Sequence, residues 1–115
     1  MEIVGTFELF RASALLEPAA RFSALPVTGP PPLTVQFTDL SGSDPTTWAW
    51  DFGDGATSSE QHPSHIYSQL GAYTVTLTVA NVNGTDTITK TNMIEVSFEV
   101  DLEKIYLPIV LKNAP

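Results

Sequence analysis

Polar and apolar residues alternate most regularly in the run YTVTLTV, residues 73–79. The apolar positions are Tyr73, Val75, Leu77 and Val79, and the polar positions between them are Thr74, Thr76 and Thr78. This period of two predicts a half-buried strand. Asn83-Gly84 follows as a turn dipeptide, and the β-branched run TDTITKTNMIEV after it completes a predicted hairpin.

A second alternating run lies earlier in the chain, where Leu33, Val35 and Phe37 point to one side and polar residues point to the other. The segment ARFSALPV before it predicts a short edge strand interrupted by Pro26, and the prolines of GPPP, residues 29–32, stop regular structure. No segment from 20 to 97 shows a sustained helical period. Short strands with one polar face each predict an all-β fold of two antiparallel sheets packed face to face.

Aromatic residues alternate in the stretch WAWDFGDG, residues 48–55. Trp48, Trp50 and Phe52 share one face and are expected to be buried against the opposing sheet, whereas Asp51 faces away. Gly53-Asp54-Gly55 then predicts a tight turn, because glycine allows the backbone angles that such a reversal needs.

Charge and composition narrow the functional classes. The 115 residues fit one domain, and 5 basic against 13 acidic side chains give a net charge of −8. Because no Lys or Arg occurs between Arg21 and Lys90, nucleic acid and anionic membranes are poor partners. No apolar segment is long enough to span a bilayer. The first residues, MEIVGTFELF, lack the basic and apolar regions of a signal peptide, and a fragment excised from a longer protein would lack them too. The absence of cysteine excludes disulfides, thiolate zinc sites and thiol catalysis.

Four spaced motifs together resemble the PKD (polycystic kidney disease) domain in its bacterial and archaeal form. The matching residues are Trp50, Asp51, Phe52, Gly53, Asp54 and Gly55, then Pro63, His65 and Tyr67, then Gly71, Tyr73, Val75, Leu77, Val79, Asn81 and Gly84, and finally Ile94 and Val96. The resemblance covers residues 19–97, which leaves residues 1–18 as an N-terminal connector and 98–115 as an apolar tail. It implies an immunoglobulin-like β-sandwich, found outside the cell in surface-layer proteins and as an accessory module of secreted proteases, collagenases and chitinases. It implies no catalytic activity, and it marks Trp50 to Gly55, His65, Tyr67, Gly71 and Tyr73 as structural residues.

Two chemical interpretations compete with that structural role. Asp51 and Asp54 could act as an acid–base pair with His65, but they flank a turn and their side chains are suited to hydrogen bonding within it. His62 and His65 could bind zinc, but two histidines three residues apart are a weak signal without further ligands.

No cofactor is predicted. Calcium is the stronger of the two metal alternatives, with Asp39 and Asp44 as weak candidate ligands, since oxygen donors suit this hard cation. Some collagenase PKD-like domains that resemble this chain bind calcium in the loop before the WDFGDG strand. Here that loop reads SGSDPTTW and lacks the acidic D-x-D-G of many relatives, which weakens the expectation. Asn83-Gly84-Thr85 also satisfies the glycosylation sequon, although Asn-Gly between two strands is first a turn signal.

The predicted function is a non-catalytic extracellular or cell-surface module that spaces neighbouring domains or contacts protein or polysaccharide. The alternative is a module that targets a secreted hydrolase to an insoluble polymer such as collagen or chitin. Trp48 is the candidate ligand-binding residue: it is a packing residue if buried and a flat apolar platform if exposed.

The tail carries apolar residues that water would solvate poorly. They are Ile105, Tyr106, Leu107, Ile109, Val110 and Leu111. Pro108 excludes a central strand, so two interpretations remain. The tail either packs along an edge of the sandwich or docks on another molecule.

Overall fold

A computed structural model describes residues 16–98, which form eight strands and no helix. The strands are β1 (Phe22–Leu25), β2 (Thr28–Gly29), β3 (Leu33–Asp39), β4 (Thr47–Asp51), β5 (Thr57–Ser58), β6 (Ser64–Tyr67), β7 (Gly71–Asn81) and β8 (Gly84–Val96). In this part of the chain no helix could cross a membrane. Most of the predicted connector and tail, residues 1–15 and 99–115, lies outside the described residues.

The strands build two sheets, one with the order β1-β3-β6 and the other with the order β2-β8-β7-β4-β5. The predicted all-β sandwich is therefore confirmed, and β1 lies at a sheet edge as expected. One pairing departs from the predicted antiparallel pattern, because β2 pairs with β8 in parallel. The chain leaves the first sheet after β1, passes Pro26 and joins the edge of the second sheet as β2, beside β8.

The hairpin of β7 and β8 forms as predicted, but its turn lies one residue earlier than Asn83-Gly84. Asn81 pairs with Gly84, so the two turn residues are Val82 and Asn83. The side chain of Asn81 accepts a hydrogen bond of 2.7 Å from the backbone N–H of Asn83, which closes the loop at this point. Gly84 has a φ of 152° and begins the returning strand.

The core lies between the sheets and is built from the alternating apolar faces. Its buried residues are Ala20, Phe22, Leu33, Val35, Phe37, Trp50, Phe52, Tyr67, Val75, Leu77, Val79, Ile94 and Val96. Trp50 packs edge-on against Phe22 at 5.0 Å and also lies 5.3 Å from Phe37, measured between ring centroids. The two sheets are thus joined through aromatic rings, whose large apolar area dominates the energy of such a small core.

Tyr67 connects the two sheets by a buried hydrogen bond. Its ring is fully buried at the end of β6, and its hydroxyl donates to the carbonyl of Phe52 just beyond β4 at 2.9 Å. Burial, followed by the nearby charge of Asp54, raises the pKa of the Tyr67 phenol well above its usual value, so the hydroxyl keeps its proton.

Replacing Tyr67 by Phe is expected to lower the free energy of unfolding by about 1–3 kcal/mol, because the buried carbonyl of Phe52 would lose its partner. The matched control is Tyr73→Phe, whose hydroxyl donates to Gln69 at an exposed position and should matter by less than about 0.5 kcal/mol. Urea unfolding of the three proteins measures both effects. Equal losses in the two variants would show that the inter-sheet bond contributes nothing particular.

Candidate functional site

The turn after β4 is held by its own aspartates. Asp51 accepts a hydrogen bond from the N–H of Gly53 at 3.0 Å, and Asp54 accepts one from the N–H of Ala56 at 3.1 Å. Gly53 has a φ of 87°, and a side chain there would come within 2.4 Å of the carbonyl oxygen of Thr74. The turn therefore needs glycine at this position and lies directly against β7.

His65 fastens the same turn to the other sheet. Its Nε2 lies 2.7 Å from Oδ2 of Asp54, and its ring stacks on Phe52 with centroids 4.3 Å apart. The rings of Tyr67 and His65 meet edge-on with centroids 4.7 Å apart. His65 thus contacts Phe52, Tyr67 and Asp54, and 16% of its side chain remains exposed.

The two aspartates of the alternative acid–base pair are both engaged within the turn. Each carboxylate accepts a hydrogen bond of its own turn, and His65 contacts Asp54 rather than lying between the two. A shallow groove of about 660 Å³ passes Asp51. Its other lining residues are Ala49, Trp50, Thr57, Ser58, Ser59, Thr76 and Thr78, which offer no second carboxylate and no histidine.

A second polar cluster, which we call the Asp39 cluster, lies at the end of β3. Asp39 is only 8% exposed and accepts hydrogen bonds from the Ser41 backbone, Trp48 Nε1 at 2.9 Å and Gln61 Nε2 at 3.1 Å. The backbone N–H of Asp39 also donates to Nδ1 of His62 at 3.0 Å. Burial alone would raise the pKa of the Asp39 carboxyl, but the hydrogen bonds from Ser41, Gln61 and Trp48 outweigh it and hold the pKa below its usual value.

The structure separates the metal candidates. Both carboxylate oxygens of Asp39 already accept hydrogen bonds, and Asp44 is exposed on the following loop. His62 faces the Asp39 cluster, whereas His65 faces Asp54, so the two histidines do not converge. Within residues 16–98, no group of three or more His, Asp or Glu side chains is placed to hold a metal ion.

Trp48 lies partly in the core and partly at the surface, between the two alternatives that its sequence position left open. It lies on the core-facing side of β4 with Trp50, but only Trp50 and the nearby Phe52 are fully buried. Trp48 is half-buried, and Asp39 fixes the orientation of its indole. Sequence reasoning placed Trp48 on the correct face but missed the Asp39 cluster, whose members come from three separate segments and share no local pattern.

Asp39→Asn is expected to lower the free energy of unfolding by about 1–3 kcal/mol at pH 7, because an amide cannot accept from all the donors around it. The folded pKa of Asp39 is depressed, so its contribution is complete above the unfolded value of about 3.9 and is lost as the pH falls through the folded pKa. The difference between parent and variant should therefore shrink below about pH 4. Urea unfolding from pH 2 to 7 tests this, with the exposed Asp44→Asn as control. A gap that stays constant with pH would contradict the assignment.

Comparison with known proteins agrees with this geometry. Residues 18–96 match the family model described as the PKD domain. The structure is similar to the PKD1 domain of the Vibrio cholerae metalloprotease PrtV, with 35% identity and a TM-score of 0.61 over 71% of this chain and 99% of that domain. It is also similar to a structure of carbohydrate-binding modules from the β-sandwich superfamily, with 26% identity and a TM-score of 0.66 over 75% of this chain and 36% of that one.

Among curated proteins, collagenase ColA of Bacillus cereus is 43% identical over 47 residues, which are 41% of this chain and 5% of the collagenase. The pre-pro-metalloprotease PrtV of Vibrio cholerae is 38% identical over 69 residues, 60% of this chain and 7% of the metalloprotease. The matched region is thus a small part of much longer proteins. With its sandwich, its WDFGDG turn and a family match across residues 18–96, the chain belongs to the PKD domain family.

Proposed function

We propose that this domain is a non-catalytic extracellular spacer that holds neighbouring domains of a larger protein at a fixed separation. The observation that carries the proposal is the position of the two chain ends. The described chain begins beside the β7–β8 turn, which we call the hairpin end, and it leaves at the opposite end of the sandwich. Strand β8 has 13 residues and connects the two ends, which separates them by about 40 Å.

Both ends are tied to the body of the domain. At the hairpin end, Ala19 and Gly42 exchange two backbone hydrogen bonds of 3.1 and 2.9 Å, and the carbonyl of Leu16 accepts from the side chain of Asn81. At the opposite end, Ser97 donates to the carbonyl of Gly29 at 3.0 Å. A displacement of either end is therefore transmitted to the sheets.

The parallel pair of β2 and β8 suits this role. Glu95 donates to Val27 at 2.8 Å and Ser97 donates to Gly29, so the segment entering the second sheet is bonded beside the strand that leaves it. Tension along the chain pulls β2 and β8 in opposite directions. The bonds between them are then loaded together in shear instead of being opened one after another.

The relatives and the site support the same proposal. The matched region occupies 5 to 7% of ColA and PrtV, as expected of an accessory module of a secreted enzyme. Among the described residues, Asp54 and His65 hold the turn after β4, and Asp39 orients the indole of Trp48. Neighbouring domains are the partners that this arrangement requires.

Force spectroscopy tests the spacer. The chain has no native cysteine, so handles can be attached through Leu16→Cys and Phe98→Cys, near the two ends. The control attaches handles at Leu16→Cys and Val82→Cys, both at the hairpin end, where strands would peel apart sequentially. We expect a higher unfolding force between opposite ends than in the control. An equal or lower force would contradict a load-bearing spacer.

A second function, targeting to an insoluble polymer, is favoured by the partly exposed indole of Trp48. The hydrogen bond to Asp39 fixes the orientation of the indole. The Trp48 side chain therefore loses less conformational entropy when it binds a flat polymer surface. The similarity to collagenases and to carbohydrate-binding modules indicates collagen-like protein or polysaccharide as the polymers to examine.

A depletion assay against collagen, chitin and cellulose tests this second function. If the domain binds through Trp48, Trp48→Ala should weaken retention by about 30-fold, the effect of losing one central aromatic contact. Leu40→Ala, in the neighbouring loop and 48% exposed, is the matched control and should be retained as the parent is. Lack of retention on all three polymers, or equal retention of both variants, would exclude the targeting role of Trp48.

A further inference from the structure

Strand β6 presents an open edge. The backbone N–H of Phe37 donates to the carbonyl of Pro63. In an antiparallel pair every second residue of a strand bonds to its neighbour, so His65 and Tyr67 are the next residues of β6 that bond toward β3. The alternate residues Ser64 and Ile66 therefore direct their N–H and C=O groups away from β3. Within residues 16–98 no strand pairs with this side of β6 and no hydrogen bond reaches these four groups.

The other sheet edges are shorter or protected. Strands β2 and β5 have two residues each. On β1, the carbonyl of Phe22 points outward, but it accepts a hydrogen bond of 2.6 Å from Nζ of Lys90, whose charge also lies over the Phe22 ring. A charged side chain at an edge blocks the addition of another strand. Strands β1 and β6 have four residues each, and of these two longer edges only β6 has no charged side chain from the described residues covering its outward backbone groups.

The surface beside this edge is apolar. Ile66 faces outward and is 53% exposed, and Leu70 in the following loop is 56% exposed. A shallow depression of about 320 Å³ is lined by Asp54, Ile66, Ser68, Gln69 and Tyr73. An added strand with apolar side chains would cover this surface and supply partners for the backbone of Ser64 and Ile66.

A strand of that kind lies within reach in the same chain. The described chain ends at Phe98, at the end of the sandwich where Val96 pairs with Gly71 and where β6 also ends. Seven residue steps lead from Phe98 to Ile105 and span up to about 23 Å. The sheets of a sandwich lie about 10 Å apart and neighbouring strands about 4.8 Å apart, so this length suffices to cross to the open side of β6.

We propose that the C-terminal segment Ile105–Leu111 adds to the open edge of β6 as an antiparallel strand of the same molecule. A segment returning from the end of β6 runs opposite to β6, which sets the antiparallel direction. Pro108 sets the register, because proline has no N–H and must lie at a position that faces away from β6. In this register Leu107 pairs with Ile66 and Ile109 pairs with Ser64. The proline then faces outward at the new edge, where it prevents the addition of another strand.

Amide hydrogen exchange in the full chain tests the pairing. The N–H groups of Ile66 and Ser64 should exchange about tenfold or more slowly than unprotected amides, although the described residues offer them no acceptor. Leu107→Pro removes the N–H that donates to the carbonyl of Ile66 and places the proline ring between the two strands, so the segment can no longer pair with β6 and this protection should be lost. Val110→Pro is the matched control: it also exchanges an apolar residue for proline, but at a position that faces away from β6, and should leave the protection intact.

The protection of the Ile66 and Ser64 amides should be the same at about 10 µM and about 1 mM protein, because a strand of the same molecule binds at any protein concentration. Protection that grows with concentration would overturn the assignment in favour of strand exchange between two copies. Free exchange of Ile66 in the unaltered chain, or equal loss in both proline variants, would overturn the pairing itself. Exchange at Leu77 in the core reports whether each variant is folded.

Discussion

The aromatic packing between the two sheets is the interaction on which the rest of the structure depends. Trp50 reaches from β4 to Phe22 and Phe37 of the opposing sheet, and its indole N–H is satisfied by the carbonyl of Glu60 at 2.8 Å. Removing a buried ring of this size typically costs about 3–5 kcal/mol, a large part of the stability of a domain this small. A sandwich of about 80 residues without disulfides has few other sources of comparable stabilisation.

The polar residues of the family motif extend this packing outward. Because Phe52 is buried against Phe37, the chain must turn sharply just beyond it, and Gly53 allows the turn to approach the backbone of Thr74. Asp54 and His65 then fasten the turn to β6. The same residues that could suggest an acid–base site are therefore the ones that a tightly packed turn requires, and this explains how a carboxylate–histidine contact occurs in a domain that we propose to be non-catalytic.

The edges of the sheets show how the fold controls association. Lys90 crosses from the second sheet to cover the carbonyl of Phe22, while β6 keeps Ser64 and Ile66 unpaired among the described residues. This asymmetry leaves one side of the sandwich available to a strand and protects the other. Control of this kind limits the unwanted pairing of sheet edges with other strands.

The sequence by itself determined the longer strands, the buried faces of β3, β4 and β7, and the family. Side chains alternate from one strand face to the other, and this period is readable without a partner. The sequence predicted β3 and β7 from their alternation, and the WDFGDG turn from its glycines. Only the tertiary structure decided the parallel pairing of β2 with β8, the turn at Val82 and Asn83, and the partners of Asp39 and Lys90. These features depend on residues up to 68 positions apart, such as Phe22 and Lys90, and no local pattern specifies which of several polar groups will meet when the sheets pack.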